Sequence, residues 1–152
     1  MLKKWLKLVG VKRKNNMSMN IIVAWPPNIK EIKKVFDLTG MNPIFAFGDV
    51  IFNPGGREID EPLAFHETTH SIQQENYGSV GSWWERYLVD KDFRLEQEIP
   101  AYRNQYARYC ELVKDRNRRI KYLYSLAYNM ASPMYGRMVD FNSALKIIRN
   151  GN

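Results

Sequence analysis

His66 and His70 are the only two histidines in the chain, and they stand four apart in Ala64-Phe65-His66-Glu67-Thr68-Thr69-His70-Ser71-Ile72-Gln73-Gln74. On a helix that spacing puts both imidazoles on one face, about one turn apart, where they can share a metal ion. Glu67 adjoins the first of them, so its carboxylate can reach a water at such an ion and take its proton. Together, His66-Glu67-x-x-His70 has the makings of a hydrolytic centre. The plainer alternative is a helix with two surface histidines and a solvated glutamate.

A catalytic zinc takes three protein ligands and keeps one position open. No third histidine exists, and Gln73 and Asn76 stand where a longer motif would continue with glycine and histidine. The third ligand is therefore expected to be a carboxylate from a later helix. The candidates lie in Arg94-Leu95-Glu96-Gln97-Glu98-Ile99-Pro100-Ala101-Tyr102. Glu98 falls beside the apolar stripe of Leu95, Ile99 and Tyr102 and can face inward, whereas Glu96 points about 160° away on a regular helix. Glu98 is the preferred candidate and Glu96 the second.

Several elements must position these groups. Asp60 reads as the N-cap of the metal helix, with Pro62 in its first turn and Phe65, Thr69 and Ile72 as its apolar stripe. Before it, Pro43–Phe47 and Val50–Asn53 flank Gly48-Asp49, as in a β-hairpin. Asn20–Trp25 reads as a strand stopped by Pro26-Pro27. Asn28-x-x-Glu31 has capping-box spacing, opening a helix through Val35-Phe36 that Gly40 closes. Beyond the metal helix, Ser82–Leu88 is an aromatic helix whose Trp83 and Trp84 are expected in the core. A long helix follows over about Phe93–Val113, with Tyr106, Tyr109, Cys110 and Val113 continuing its stripe and Pro100 expected to bend or restart it. A helix over Asp115–Met130, a Ser132–Gly136 loop and a last helix capped by Asp140 complete the chain.

Composition bounds the rest. The chain has 152 residues, is 45% hydrophobic and 26% charged, and reads as one domain over 20–150. The fold class is α+β, mostly helical, with a short hairpin or sheet ahead of the metal helix. Cys110 is the only cysteine, which excludes a disulfide framework or a cysteine-rich metal site. No apolar run approaches the roughly 18 residues of a spanning helix. Six of the seven net positive charges lie in residues 1–19, at Lys3, Lys4, Lys7, Lys12, Arg13 and Lys14. This segment reads as a basic, disordered tail or a gene-start artefact, with Met17 and Met19 as alternative starts, in preference to a functional extension. Its interrupted apolar part is a poor secretory signal, and contact with nucleic acid or an anionic surface through it is a minor expectation.

The chain resembles the gluzincins, thermolysin-like zinc peptidases in which His-Glu-x-x-His is followed by a glutamate ligand on a second helix. In several of them that second motif reads Glu-x-x-Ala-Asp, and Glu98-Ile99-Pro100-Ala101-Tyr102 matches it except at its last position. The missing acid would orient a histidine ligand, a task left to Asp49, Gln73 or a backbone carbonyl. Residues 43–140 are also similar to small metallopeptidase-like proteins of tailed bacteriophages and bacteria. The resemblance implies a minimal zincin core and one Zn²⁺ per chain on His66, His70 and Glu98. It also implies Glu67 as general base, a peptide or protein substrate, and Val50–Asn53 as the sheet edge that receives it. A tyrosine would stabilise the oxyanion, with Tyr135 the first candidate and Tyr102 behind it. The expected location is the cytoplasm of a bacterial host, or a virus particle. The competing expectation is a metal-stabilised structural or interaction protein without turnover, for example a phage particle component.

Overall fold

A computed structural model describes residues 20–151, so the expectations for the basic tail lie outside the described residues. The chain is mostly helical and carries one small mixed sheet. Three strands, β1 (Asn20–Ile22), β2 (Phe45–Phe47) and β3 (Val50–Phe52), are ordered β1-β3-β2. The hairpin forms as expected: β2 and β3 are antiparallel, with Phe47 opposite Val50, and Gly48 at φ +63° supplies the backbone such a short loop needs. β1 adds in parallel on the other side of β3, with Ile21 opposite Ile51. This corrects the expected substrate edge. Val50–Phe52 is the central strand, with both sides paired; the outer strands are β1 and β2, and on β2 Ala46 O already accepts from Gln74 Nε2 and Trp84 Nε1.

Between β1 and β2 lies α1 (Ile29–Val35). The capping box at its start does not form. Asn28 sits at φ −94° and ψ 21°, outside the extended conformation a cap needs, and both polar atoms of its amide are buried without a hydrogen bond. The helix also ends earlier than Gly40, because Phe36 is extended and Asp37 turns the chain by bonding Thr39.

α2 (Glu61–Tyr77) is the helix of the two histidines. Its ends follow the sequence: the Asp60 side chain accepts from Leu63 N, and Gly78 closes it at φ +88°. α3 (Val80–Val89) places Trp83 and Trp84 in a core with Ile32, Phe45, Phe52 and Phe93. α4 (Lys91–Leu112) runs uninterrupted through Pro100, so no restart occurs there. α5 (Arg116–Met130) and α6 (Phe141–Arg149) build a second core against α4, around Tyr102, Tyr106, Leu126, Met130 and Ile148. A single 3-10 turn, Pro133–Tyr135, joins them. Among the described residues, no helix is long and apolar enough to cross a membrane.

The most buried faces of α2 and α4 are polar. α2 buries His66, Glu67, Thr69, His70 and Gln74, while α4 buries Arg94, Glu98 and Gln105 beside Ala101, Tyr102 and Tyr106. The predicted stripe of α4 is displaced accordingly: of its members only Tyr102 and Tyr106 are buried, while Leu95, Ile99, Tyr109, Cys110 and Val113 are half-buried. These two polar faces meet between the two cores.

Candidate metal centre

His66 and His70 project from consecutive turns of α2, and α4 brings Glu98 against them. The two Nε2 atoms lie 3.1 Å apart. Glu98 Oε2 is 3.3 Å from His66 Nε2, and Glu98 Oε1 is 3.3 Å from His70 Nε2. All three side chains are almost completely buried. Glu96, the second candidate, is exposed.

The outward nitrogens fix the state of the inward ones. His66 Nδ1 is 2.9 Å from Gln105 Oε1, and the Gln105 amide nitrogen donates to Tyr122 OH at 3.0 Å. His70 Nδ1 is 2.8 Å from Gln73 Oε1, and the Gln73 amide nitrogen donates to Gln97 O at 2.8 Å. An amide oxygen only accepts, so each Nδ1 carries the proton and each Nε2 presents a lone pair. Two lone pairs 3.1 Å apart beside a carboxylate require a cation between them. A tetrahedral ion with bonds of ~2.05 Å spaces its ligand atoms by ~3.3 Å, which matches the separations here. Glu98 Oε2 is buried with no hydrogen bond, leaving it free to bind, whereas Oε1 accepts from Tyr87 OH at 2.5 Å. The residues present therefore fit a metal ion, and His66, His70 and Glu98 could hold one.

Without a metal, the cation is a proton. Burial pushes His70 down, but the Glu98 carboxylate outweighs it and holds the imidazole up at about 9. Burial would raise Glu98, yet the charge of His70, with His66 beside it, keeps it well below the usual carboxylate range. Glu67 behaves oppositely: burial raises it, and the charge of the histidines offsets this only in part.

These groups open on a cavity of about 760 Å³ that Glu67, Tyr102 and Tyr135 also line. Tyr102 stands edge-on to the His66 ring, 4.7 Å between centroids, and its hydroxyl donates to Tyr135 OH at 3.1 Å. Burial pushes both phenols well above their usual range, so they stay protonated donors. Tyr135 reaches the site because Arg94 holds the 3-10 turn. Fully buried, Arg94 donates from Nη1 to Tyr135 O, from Nε to Tyr87 O and from Nη2 to Leu88 O. The last two acceptors are end carbonyls of α3, which a helix leaves unpaired.

All five sequence-predicted residues thus come together: His66, Glu67, His70, Glu98 and Tyr135 line one cavity. Of the groups considered for orienting a histidine, Gln73 does so, whereas Asp49 is exposed in the hairpin turn. Gln105, Tyr87 and Arg94 were not anticipated. Their only sequence signal is the period they share with Glu98 on α4 (Arg94, Glu98, Gln105) and the spacing of Tyr87 near the end of α3. Compared with protein-family models, curated proteins and solved structures, the chain matches none.

Proposed function

We propose that this protein is a zinc-dependent hydrolase that cuts peptides, with His66, His70 and Glu98 as ligands and Glu67 as general base. The observation that supports it most is the pair of converging Nε2 lone pairs beside an orphaned carboxylate oxygen, in a cavity that Glu67 shares. When bound there, zinc supplies Lewis acidity, making a water acidic near neutral pH and polarising a carbonyl. Glu67 takes the proton of the attacking water and returns it to the leaving amine, a task for which a carboxylate raised by burial is suited. Tyr135, held by Arg94 and Tyr102, donates to the developing oxyanion. The peptide lies in the cavity, where Ile44, Phe45 and Ala46 line one wall.

A purely structural metal site would be closed by a fourth protein ligand, and among the described residues the cluster offers three. Elemental analysis of the purified protein tests the ligand set. About one zinc per chain is expected, lost in His66→Ala and Glu98→Ala. Glu67→Gln should retain the zinc and lose peptide hydrolysis by at least ~100-fold. Zinc absent from the wild type after incubation with excess metal would end this reading, and full turnover by Glu67→Gln would remove Glu67 from its role.

A further inference from the structure

Among the described residues, Arg57 is the one lysine or arginine lining the cavity, and no carboxylate lies within ion-pair distance of it. Its place in the fold is set by its backbone. The Asn53 amide donates to Arg57 O at 2.7 Å, and Asn53 N itself donates to Ile22 O at 2.8 Å, so the loop hangs from the sheet. Gly56 N closes on Asn53 O at 3.0 Å, with Gly56 at φ +61°. Gly55 lies so close to the cavity-wall residue Asn42 that a Cβ on it would sit 3.1 Å from Asn42 Cβ. An unpaired guanidinium is thus presented at the cavity mouth by an ordered loop, while the remaining walls are mostly apolar and aromatic.

The anions already in the cavity do not pair with it. Glu98 is held by the histidines and Tyr87, and Asp37 by Thr39. Arg57 does act on Glu67 through space, which places its charge within electrostatic reach of the general base. A planar guanidinium matches a carboxylate with two parallel hydrogen bonds.

We propose that the cavity selects peptides bearing a carboxylate, which pairs with Arg57 while the scissile bond lies over His66, Glu67 and His70. This rests on the hydrolase reading. The carboxylate is either an acidic side chain or the C-terminus of the peptide, and paired substrates separate the two.

The test uses the zinc-loaded full chain and fluorogenic peptides differing in one group, Glu against Gln at one position, or a free C-terminal acid against its amide. The carboxylate member of one pair should be cut with about tenfold higher kcat/KM. The pair showing the preference identifies the source. In Arg57→Gln, checked for full zinc content, that ratio should fall to about one, and in Arg57→Glu it should turn in favour of a matched lysine peptide. Equal rates for both pairs in the wild type, or a preference that survives Arg57→Gln, would overturn the pairing and leave the hydrolase standing. No cleavage of any peptide by the zinc-loaded wild type would overturn both.

Discussion

Glu67 and Glu98 are both buried carboxylates, and their surroundings push them in opposite directions. Divergent environments of this kind assign roles: the carboxylate kept ionised is suited to hold a cation, and the one raised by burial to move a proton. The histidines divide in a similar way, since each has one nitrogen committed to a glutamine and one left for the centre. The ligand candidates were legible in the sequence because His66, Glu67 and His70 are local to one helix and only a carboxylate of a later helix, Glu98 or Glu96, was left to complete the set. Gln105 was not, because it meets His66 across 39 residues of chain. Gln105→Leu keeps the volume and removes the acceptor, freeing the His66 tautomer. Its zinc affinity, measured by competition with a chromophoric chelator, should fall by ~10- to 100-fold. Unchanged affinity would mean that packing against Tyr102 alone orients the ring.

Hydrophobic periodicity locates helices through their apolar stripes, and on α2 and α4 it misplaces the buried face for a physical reason. Burying polar and charged groups is costly unless they are paired, so a stripe search assigns such residues to solvent. Here they are paired with one another across the α2–α4 contact. Helix ends were more legible where caps are local: Asp60 and Asp140, read as caps, each accept from a first-turn N–H, whereas Asp90 caps α4 so that it starts at Lys91, ahead of the expected Phe93. Asn28 is the exception, since it lies inside the turn that Ile29 N closes on Pro26 O, which holds its backbone outside the capping conformation. The 3-10 turn depends on Arg94 and on Gly136, at φ +75° with its missing Cβ only 3.2 Å from Arg94 Nη1. Gly136→Ala should therefore displace the turn, lowering the melting temperature and the turnover together, with zinc retained. Tyr135→Phe, which keeps the turn, should leave the melting temperature nearly unchanged and lower kcat by ~100-fold. Equal turnover by Tyr135→Phe and wild type would show that the turn only walls the cavity.

At the scale of the molecule, two apolar cores enclose a polar seam, and the seam buries more ionisable groups than its internal pairs offset well. Such a seam gains most from a cation at its centre. At a free zinc concentration about a thousandfold above its dissociation constant, binding stabilises the folded state by ~4 kcal/mol. For a chain of this size each kcal/mol moves the melting temperature by ~2–4 °C, so zinc should raise it by roughly 8–16 °C. The pH dependence has a definite sign. In the metal-free protein His70 is held up at about 9 by Glu98, against an ordinary value of 6.5 when unfolded. Its pairing therefore stabilises fully below pH 6.5 and is lost as the pH rises through 9. Zinc competes with that same proton, and its binding strengthens over the same interval. The difference in melting temperature between zinc-loaded and chelator-treated protein should accordingly widen from pH 6.5 to 9, and should vanish in His70→Ala. A difference that narrows as the pH rises, or persists in that variant, would place the stabilising ion elsewhere than between His66, His70 and Glu98.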